Sequence, residues 1–272
     1  MESGKTLSIA IISGKGGGGK TNLTLNLGYA LHMRRHSVLL MDCDLGLANL
    51  DVLLGITPEG NMQDVLLGSA GMKSIIHPLA PDGFDILPAA SGVPELVDMT
   101  DDMRQVLLDR LTPELGGYDY VLMDTGAGIS ETVQAMAVMA AMRIVVITPE
   151  PTSLTDSYAL IKVLLARHGV RDFLILVNQV ESEKETQHAF SRLSLACKKF
   201  LQIEPIFLAA VRNDKALIEA VRQQQALLAY KPACRAAQDI QALADKVQKI
   251  RQGMAEWMRT NPILRSLPSA EN

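Results

Sequence analysis

The chain has 272 residues, of which 48% are hydrophobic and 21% charged, enough to bury a core and too apolar for a disordered chain. A formal net charge of −4 supplies no electrostatic footprint for coating a nucleic acid, so no direct nucleic-acid contact is expected. Three scattered cysteines, Cys43, Cys197 and Cys234, show no CxxC and fit reduced thiols in a cytoplasmic protein.

In chain order, the first apolar run, Leu7–Ile12, reads as a strand that passes straight into glycines, which is not the layout of a signal peptide. A helix is expected over Thr21–Met33 and a second strand over Ser37–Asp42. Further strands follow at Phe84–Leu87, Tyr120–Asp124, Arg143–Thr148, Phe173–Asn178 and Ile206–Ala210. Helical patterns occupy Thr100–Leu115, Ser130–Met142, Ser153–His168, Lys184–Leu201 and Asp214–Leu228. The last helix, Ala233–Met258, carries Ile240, Leu243, Val247, Ile250, Met254 and Trp257 at spacings of three or four, and Pro262 ends helical continuity. Near-continuous apolar strands alternating with helices predict an α/β fold with a doubly wound, mostly parallel sheet and helices on both faces. The expected organisation is a single domain over residues 1–260 and a short C-terminal tail over 261–272. No apolar run approaches the ~20 residues needed to span a bilayer.

After the first strand comes Gly14-Lys15-Gly16-Gly17-Gly18-Gly19-Lys20-Thr21, followed by Asn22 and a helix. This is the phosphate-loop pattern in its strand–loop–helix context. Glycines let backbone N–H groups turn inward around a phosphate, and the helix N-terminus adds its positive dipole end. Lys20 is then the counter-charge of the β- and γ-phosphates, and the Thr21 hydroxyl a ligand of Mg²⁺. Gly14, Gly16 and Gly19 also spell G-x-G-x-x-G, with Asp42 about 23 positions beyond, which is the dinucleotide fingerprint of an oxidoreductase. That alternative leaves Lys20 and Thr21 without a task. It also leaves unexplained the strand Tyr120–Met123, which ends in Asp124 as the Mg²⁺-binding Walker-B strand does. A nucleoside triphosphate is the preferred ligand.

The second lysine of the loop, Lys15, makes this segment resemble the deviant Walker-A motif of the MinD/ParA family of dimerising ATPases. The stretch Asp42-Cys43-Asp44 through Asp51 resembles that family's switch I, and Asp124-Thr125-Gly126-Ala127-Gly128 its switch II. Three longer segments, Asp44–Gly55, Leu87–Gly92 and Glu150–Lys162, are similar to the flagellar-number regulators of the FleN/FlhG type. The resemblance implies an ATPase of low turnover with ATP and Mg²⁺ as cofactors, a monomer without ATP and a homodimer with it. It implies that Lys15 reaches the partner's phosphates, that Asp44 orients the attacking water, and that Asp42 lies near the metal. It further implies that Gly126 faces the γ-phosphate and that Asn178 contacts adenine. Where the family has a proline beside the adenine, this chain has Arg212. The partner implied is a protein: a flagellar transcription activator, an FlhF-type GTPase or a basal-body component. A MinD-like spatial regulator of another cargo is the alternative. Relatives bind membrane through a C-terminal amphipathic helix. Here Trp257–Pro268 has few apolar groups, two arginines and two prolines, which fits a cytoplasmic protein with at most a weak contact at the inner membrane or cell pole.

Overall fold

The computed structural model describes residues 6–44, 50–58, 60, 61, 64, 65, 68, 70–89 and 109–265. Its first half runs β1 (Leu7–Ser13), α1 (Lys20–His32), β2 (Val38–Cys43), α2 (Leu50–Leu54), α3 (Met72–Ile75), β3 (His77–Ala80), β4 (Phe84–Leu87) and β5 (Tyr120–Ala127). Then come α4 (Glu131–Met139), β6 (Met142–Ile147), α5 (Pro151–His168), β7 (Leu174–Val180), α6 (Glu183–Leu201), β8 (Ile206–Arg212), α7 (Lys215–Arg222), α8 (Leu227–Tyr230), α9 (Arg235–Gly253) and α10 (Ala255–Thr260). The strands form one sheet in the order β3-β4-β2-β5-β1-β6-β7-β8, parallel except for the β3–β4 pair.

Alternation along β1 shows why the strand is apolar throughout. Leu7, Ile9 and Ile11 pack into the core on the side of α1 and α9, while Ala10 and Ile12 pack into the core on the side of α4 and α5. Every residue of β1 and β6 is buried. At about 1.5–3 kcal/mol per large aliphatic side chain, these two strands anchor the centre of the molecule. The β8 edge is closed by α9. Lys246 Nζ donates to the Leu208 carbonyl at 2.7 Å, and Asp239 accepts from the Arg212 N–H at 2.9 Å, so this edge offers little backbone for strand addition. Beyond α10 the chain turns back along the sheet: Ser8 donates its hydroxyl to the Ile263 carbonyl, Leu264 is buried, and the Arg265 N–H reaches the Met139 carbonyl at 2.8 Å.

The expected fold class holds, with local differences that include the short additional helices α2 and α3. The strand β3 is additional; it is short, carries Pro78 and pairs with β4 across a turn containing Asp82 and Gly83, both at positive φ. The helix expected to reach Met142 stops at Met139, because Met142 already begins β6 and the uninterrupted apolar run hides the junction. The helix expected over Asp214–Leu228 divides into α7 and α8 around Gln224 at φ 53°. The long C-terminal helix divides at Met254 into α9 and α10. Residues 109–115 are helical as expected, whereas the start of that helix at Thr100, positions 45–49 of the switch I segment, Ala90–Gly92 and Ser266–Pro268 lie outside the described residues.

Candidate functional site

The sheet order places β1 between β5 and β6, where successive connections leave in opposite directions, and ligands of such sheets bind beyond the carboxyl ends of the strands at this point. Here the loop 14–19 leaves the end of β1, passes Ala127 at the end of β5 and leads into α1. Asp42 and Asp124 sit side by side, paired in register, Asp42 next to the end of β2 and Asp124 within β5, which runs on to Ala127 instead of ending at Asp124. Gly128 N–H donates to the Ser13 carbonyl at 3.0 Å, and Thr125 Oγ1 to the Ile11 carbonyl at 3.0 Å, tying the two loops together.

Two glycines are required by geometry. A Cβ on Gly14 would lie 2.1 Å from the Asp156 carbonyl carbon, so the loop rests directly on the backbone of α5. Gly19 has φ +83°, and a Cβ there would lie 2.5 Å from the Asn178 amide nitrogen. Asn178 Nδ2 donates to the Gly18 carbonyl at 2.8 Å and Gln179 Nε2 to the Gly17 carbonyl at 3.1 Å, so the end of β7 holds the loop's outer turn. Gly19 gives α1 no side-chain cap, whereas α4, α6 and α7 are capped by Ser130, Ser182 and Asp214. The first N–H groups of α1, around Lys20, Thr21 and Asn22, therefore face the cleft as anion donors.

Lys20 is 8% exposed and its ammonium donates to Ser13 Oγ at 2.8 Å; Ser13 Oγ in turn donates to the Lys15 carbonyl at 2.7 Å. Burial pulls the Lys20 pKa down, against the attraction of Asp124 and Asp44. Asp124 is 1% exposed, and burial raises its carboxyl to about 6 in spite of hydrogen bonds from Thr21 and Thr24 and the charge of Lys20. Thr24 Oγ1 lies 3.1 Å from Asp124 Oδ1. Asp42 Oδ1 accepts from the Asp44 N–H at 3.0 Å, and its Oδ2 from the Leu50 N–H at 3.2 Å. Asp44 lies against Gly126, where a Cβ would come within 3.3 Å of its Oδ1. The carboxylates of Asp42, Asp124 and Asp44 all push the buried Cys43 thiol up, after burial itself.

A cleft of about 870 Å³ runs from Lys20 and Thr21, past Asp44 and Gly126, to Leu217, Ile218 and Val221 of α7, with Asp42 and Asp124 buried behind its wall. Lys15 is apart from them. Its ammonium sits at the loop's outer side, 2.7 Å from Glu150 Oε2 and 2.9 Å from Thr152 Oγ1. Arg212 also points elsewhere, onto Asp239 through Nε and Nη2, both at 2.8 Å.

Sequence reasoning brought Lys20, Thr21, Asp42, Asp44, Asp124 and Gly126 to one place but missed Ser13, Thr24, Glu150, Thr152 and the α7 wall. Thr24 follows Lys20 by four residues on α1, a spacing that could have flagged it. Nothing in the sequence joins α7 to a loop 200 residues earlier. Chemically, an ammonium, a hydroxyl, a buried carboxylate and uncapped N–H groups suit a phosphate chain with a hard divalent cation. Mg²⁺ asks for one or two such protein oxygens and takes the rest from phosphate and water, and Thr21 with Asp124 meet that demand.

A model of the AAA domain matches residues 6–187. The antiactivator FleN of Pseudomonas aeruginosa is 36% identical over 239 residues, covering 88% of this chain and 85% of that protein. The flagellum site-determining protein YlxH of Helicobacter pylori is 34% identical over 258 residues, covering 93% and 86%. Among solved structures, the septum site-determining protein MinD of Pyrococcus horikoshii, complexed with Mg-ADP, superposes with a TM-score of 0.73 at 27% identity, covering 92% of this chain and 98% of that one. The MinD chain of the MinC:MinD complex from Aquifex aeolicus gives 0.72 at 26% identity, covering 89% and 96%.

Proposed function

The chain belongs to the AAA-domain family and within it to the MinD/ParA-type ATPases close to FleN and FlhG, and on that premise we propose that it is an ATP-dependent dimerisation switch regulating flagellar number or placement. One observation carries the reading. The loop, Lys20, Thr21 and Asp44 line one cleft, with Asp124 buried beneath it at Thr24, while Lys15 stands outside on the exposed rim.

In this reading the backbone N–H groups from Gly14 to Asn22 and the Lys20 ammonium hold the β- and γ-phosphates of ATP. Mg²⁺, when bound, neutralises phosphate charge, with Thr21 and Asp124 as its protein ligands and Asp42 behind them. Asp44 accepts a hydrogen bond from the water that attacks the γ-phosphate, and Gly126 leaves room for it. The adenine lies between the end of β7, where Asn178 and Gln179 hold the loop, and the apolar wall of α7. Lys15 leaves Glu150 and Thr152 to meet the phosphates of a second copy. The whole operates as one domain over 1–260 with a short tail.

The partner is a protein that binds the ATP dimer. FleN is an antiactivator, which favours a transcription activator as target; an FlhF-type GTPase or a basal-body component satisfies the same logic. Among the described residues no helix is long and apolar enough to cross a membrane, so any inner-membrane or polar contact in this reading is peripheral.

The test is Asp44→Ala, sized by light scattering with ATP and Mg²⁺. Nucleotide binding should persist, turnover should stop and the variant should accumulate as a dimer. A variant that hydrolyses ATP at the parent rate removes Asp44 from the mechanism.

A further inference from the structure

Asp42 is as buried as Asp124, each 1% exposed, and both of its oxygens accept from backbone N–H groups. Asp42 Oδ1 takes the N–H of Asp44 and Oδ2 the N–H of Leu50, the first residue of α2. These donors flank positions 45–49 on both sides. Leu50 itself is fully buried in the core next to α1, so the second bond fixes where α2 begins. From the far end of α2, Gly55 at φ +63° lies so close to Gln224 that a Cβ would come within 2.4 Å of its Oε1. Gln224 follows α7, whose Leu217, Ile218 and Val221 wall the cleft. One carboxylate thus holds the Asp44 backbone and the start of α2, whose Val52 carbonyl accepts from Gln224 after α7.

We propose that Asp42 is a positioning residue, acting through the Asp44 and Leu50 amides to aim the Asp44 carboxylate, and that it is not a ligand of Mg²⁺. A carboxylate accepting two backbone N–H groups has its charge-assisted bonds directed into the protein. The hard-oxygen demand of the cation is met by Thr21 and Asp124. Asp42→Ala would remove both bonds together. Asp42→Asn is sharper, because it keeps the shape and turns one acceptor into a donor, which no backbone N–H can meet.

The proposal rests on Asp44 as the holder of water, and the two can fail separately. Amide exchange in the nucleotide-free parent should show protection at both Asp44 and Leu50, a measurement needing no variant. In Asp42→Asn at least one of these amides should exchange about tenfold faster, as loss of one hydrogen bond implies. ATP turnover should fall about tenfold or more, as misplacing a catalytic group by a fraction of a bond length does. The gain in ADP affinity on adding Mg²⁺, read by calorimetry, should persist in Asp42→Asn, weakened by the lost nearby charge but not abolished as in Asp124→Asn. A collapse of that Mg²⁺-dependent gain makes Asp42 a metal ligand and overturns the proposal. Parent-like turnover in Asp42→Asn, or ordinary loop exchange at either amide of the parent, overturns it as well. If Asp44→Ala hydrolyses normally, the water-holding reading falls while the amide protection still reports whether Asp42 clasps this backbone.

Discussion

Asp124 is almost completely buried, and its carboxyl is pushed up to about 6 from the ordinary 3.8. Burial is the main cause, and Thr21, Lys20 and Thr24 recover only part of the loss. Because the folded pKa lies above the unfolded one, the native state binds the proton more tightly between about pH 4 and pH 6. Stability contributed by this site is therefore present below the unfolded value and lost as pH rises through the folded one. That rise corresponds to roughly 3 kcal/mol that the nucleotide-free protein forgoes at neutral pH. Asp124→Asn should accordingly be more stable than the parent in urea at pH 7, by an amount that shrinks toward zero near pH 4. The same variant should lose the Mg²⁺-dependent part of ADP binding, since the amide offers the cation no charge. A stability gap that does not change with pH would mean that Asp124 is no more strained than an ordinary surface acid. The trade is that of a functional site holding a buried charge for its ligand.

At the scale of elements, the parts legible in the sequence were those set by local chemistry. The glycine loop, the paired acids and the central apolar strands follow from spacing and composition alone, although β5 runs three residues past Asp124. The boundaries that failed were those where neighbouring elements share one composition. Between α4 and β6 every residue from Ala135 to Met142 is alanine, valine or methionine, so the helix and strand patterns overlap. The strand β3 was hidden by its proline although Asp82-Gly83 signals a hairpin. The supports of the loop were illegible for another reason: Gln179 and Asp156 reach it only through the fold, and Asn178, implied by resemblance as an adenine contact, bonds the Gly18 carbonyl. Their contacts nonetheless dictate residues. Gly14 tolerates no Cβ, because the atom 2.1 Å away belongs to the α5 backbone and not to a side chain that could swing aside. Gly14→Ala should therefore cost about 3 kcal/mol in a urea titration, as overpacking against rigid backbone does, and weaken ADP binding by displacing the loop. Parent-like values of both would show that α5 gives way freely and that the loop is not seated on it.

At the scale of the whole molecule, the two lysines of the loop separate into an inside and an outside charge. Lys20 is buried against Ser13, whereas the Lys15 side chain is 41% exposed and paired with a Glu150 side chain that is 62% exposed. An ion pair this open contributes about 1 kcal/mol at most, so Lys15 can be released by any stronger anion that approaches the rim. Two triphosphates brought face to face would be such an anion and would also repel each other without an intervening cation. Lys15→Ala should then keep ADP and ATP binding by the single chain, since the loop backbone, Lys20, Thr21 and Asp124 are untouched. It should lose association, because the charge it removes acts only between copies. Arginine at this position should restore little, as a planar fork replaces a compact point charge. The readout is the mass in solution with ATP and Mg²⁺ of Lys15→Ala combined with Asp44→Ala, which blocks turnover in both samples. The double variant should remain a monomer at concentrations where Asp44→Ala alone is a dimer. Equal dimerisation of the two would leave Lys15 as the solvent-facing partner of Glu150 and remove the charge on which the switch depends.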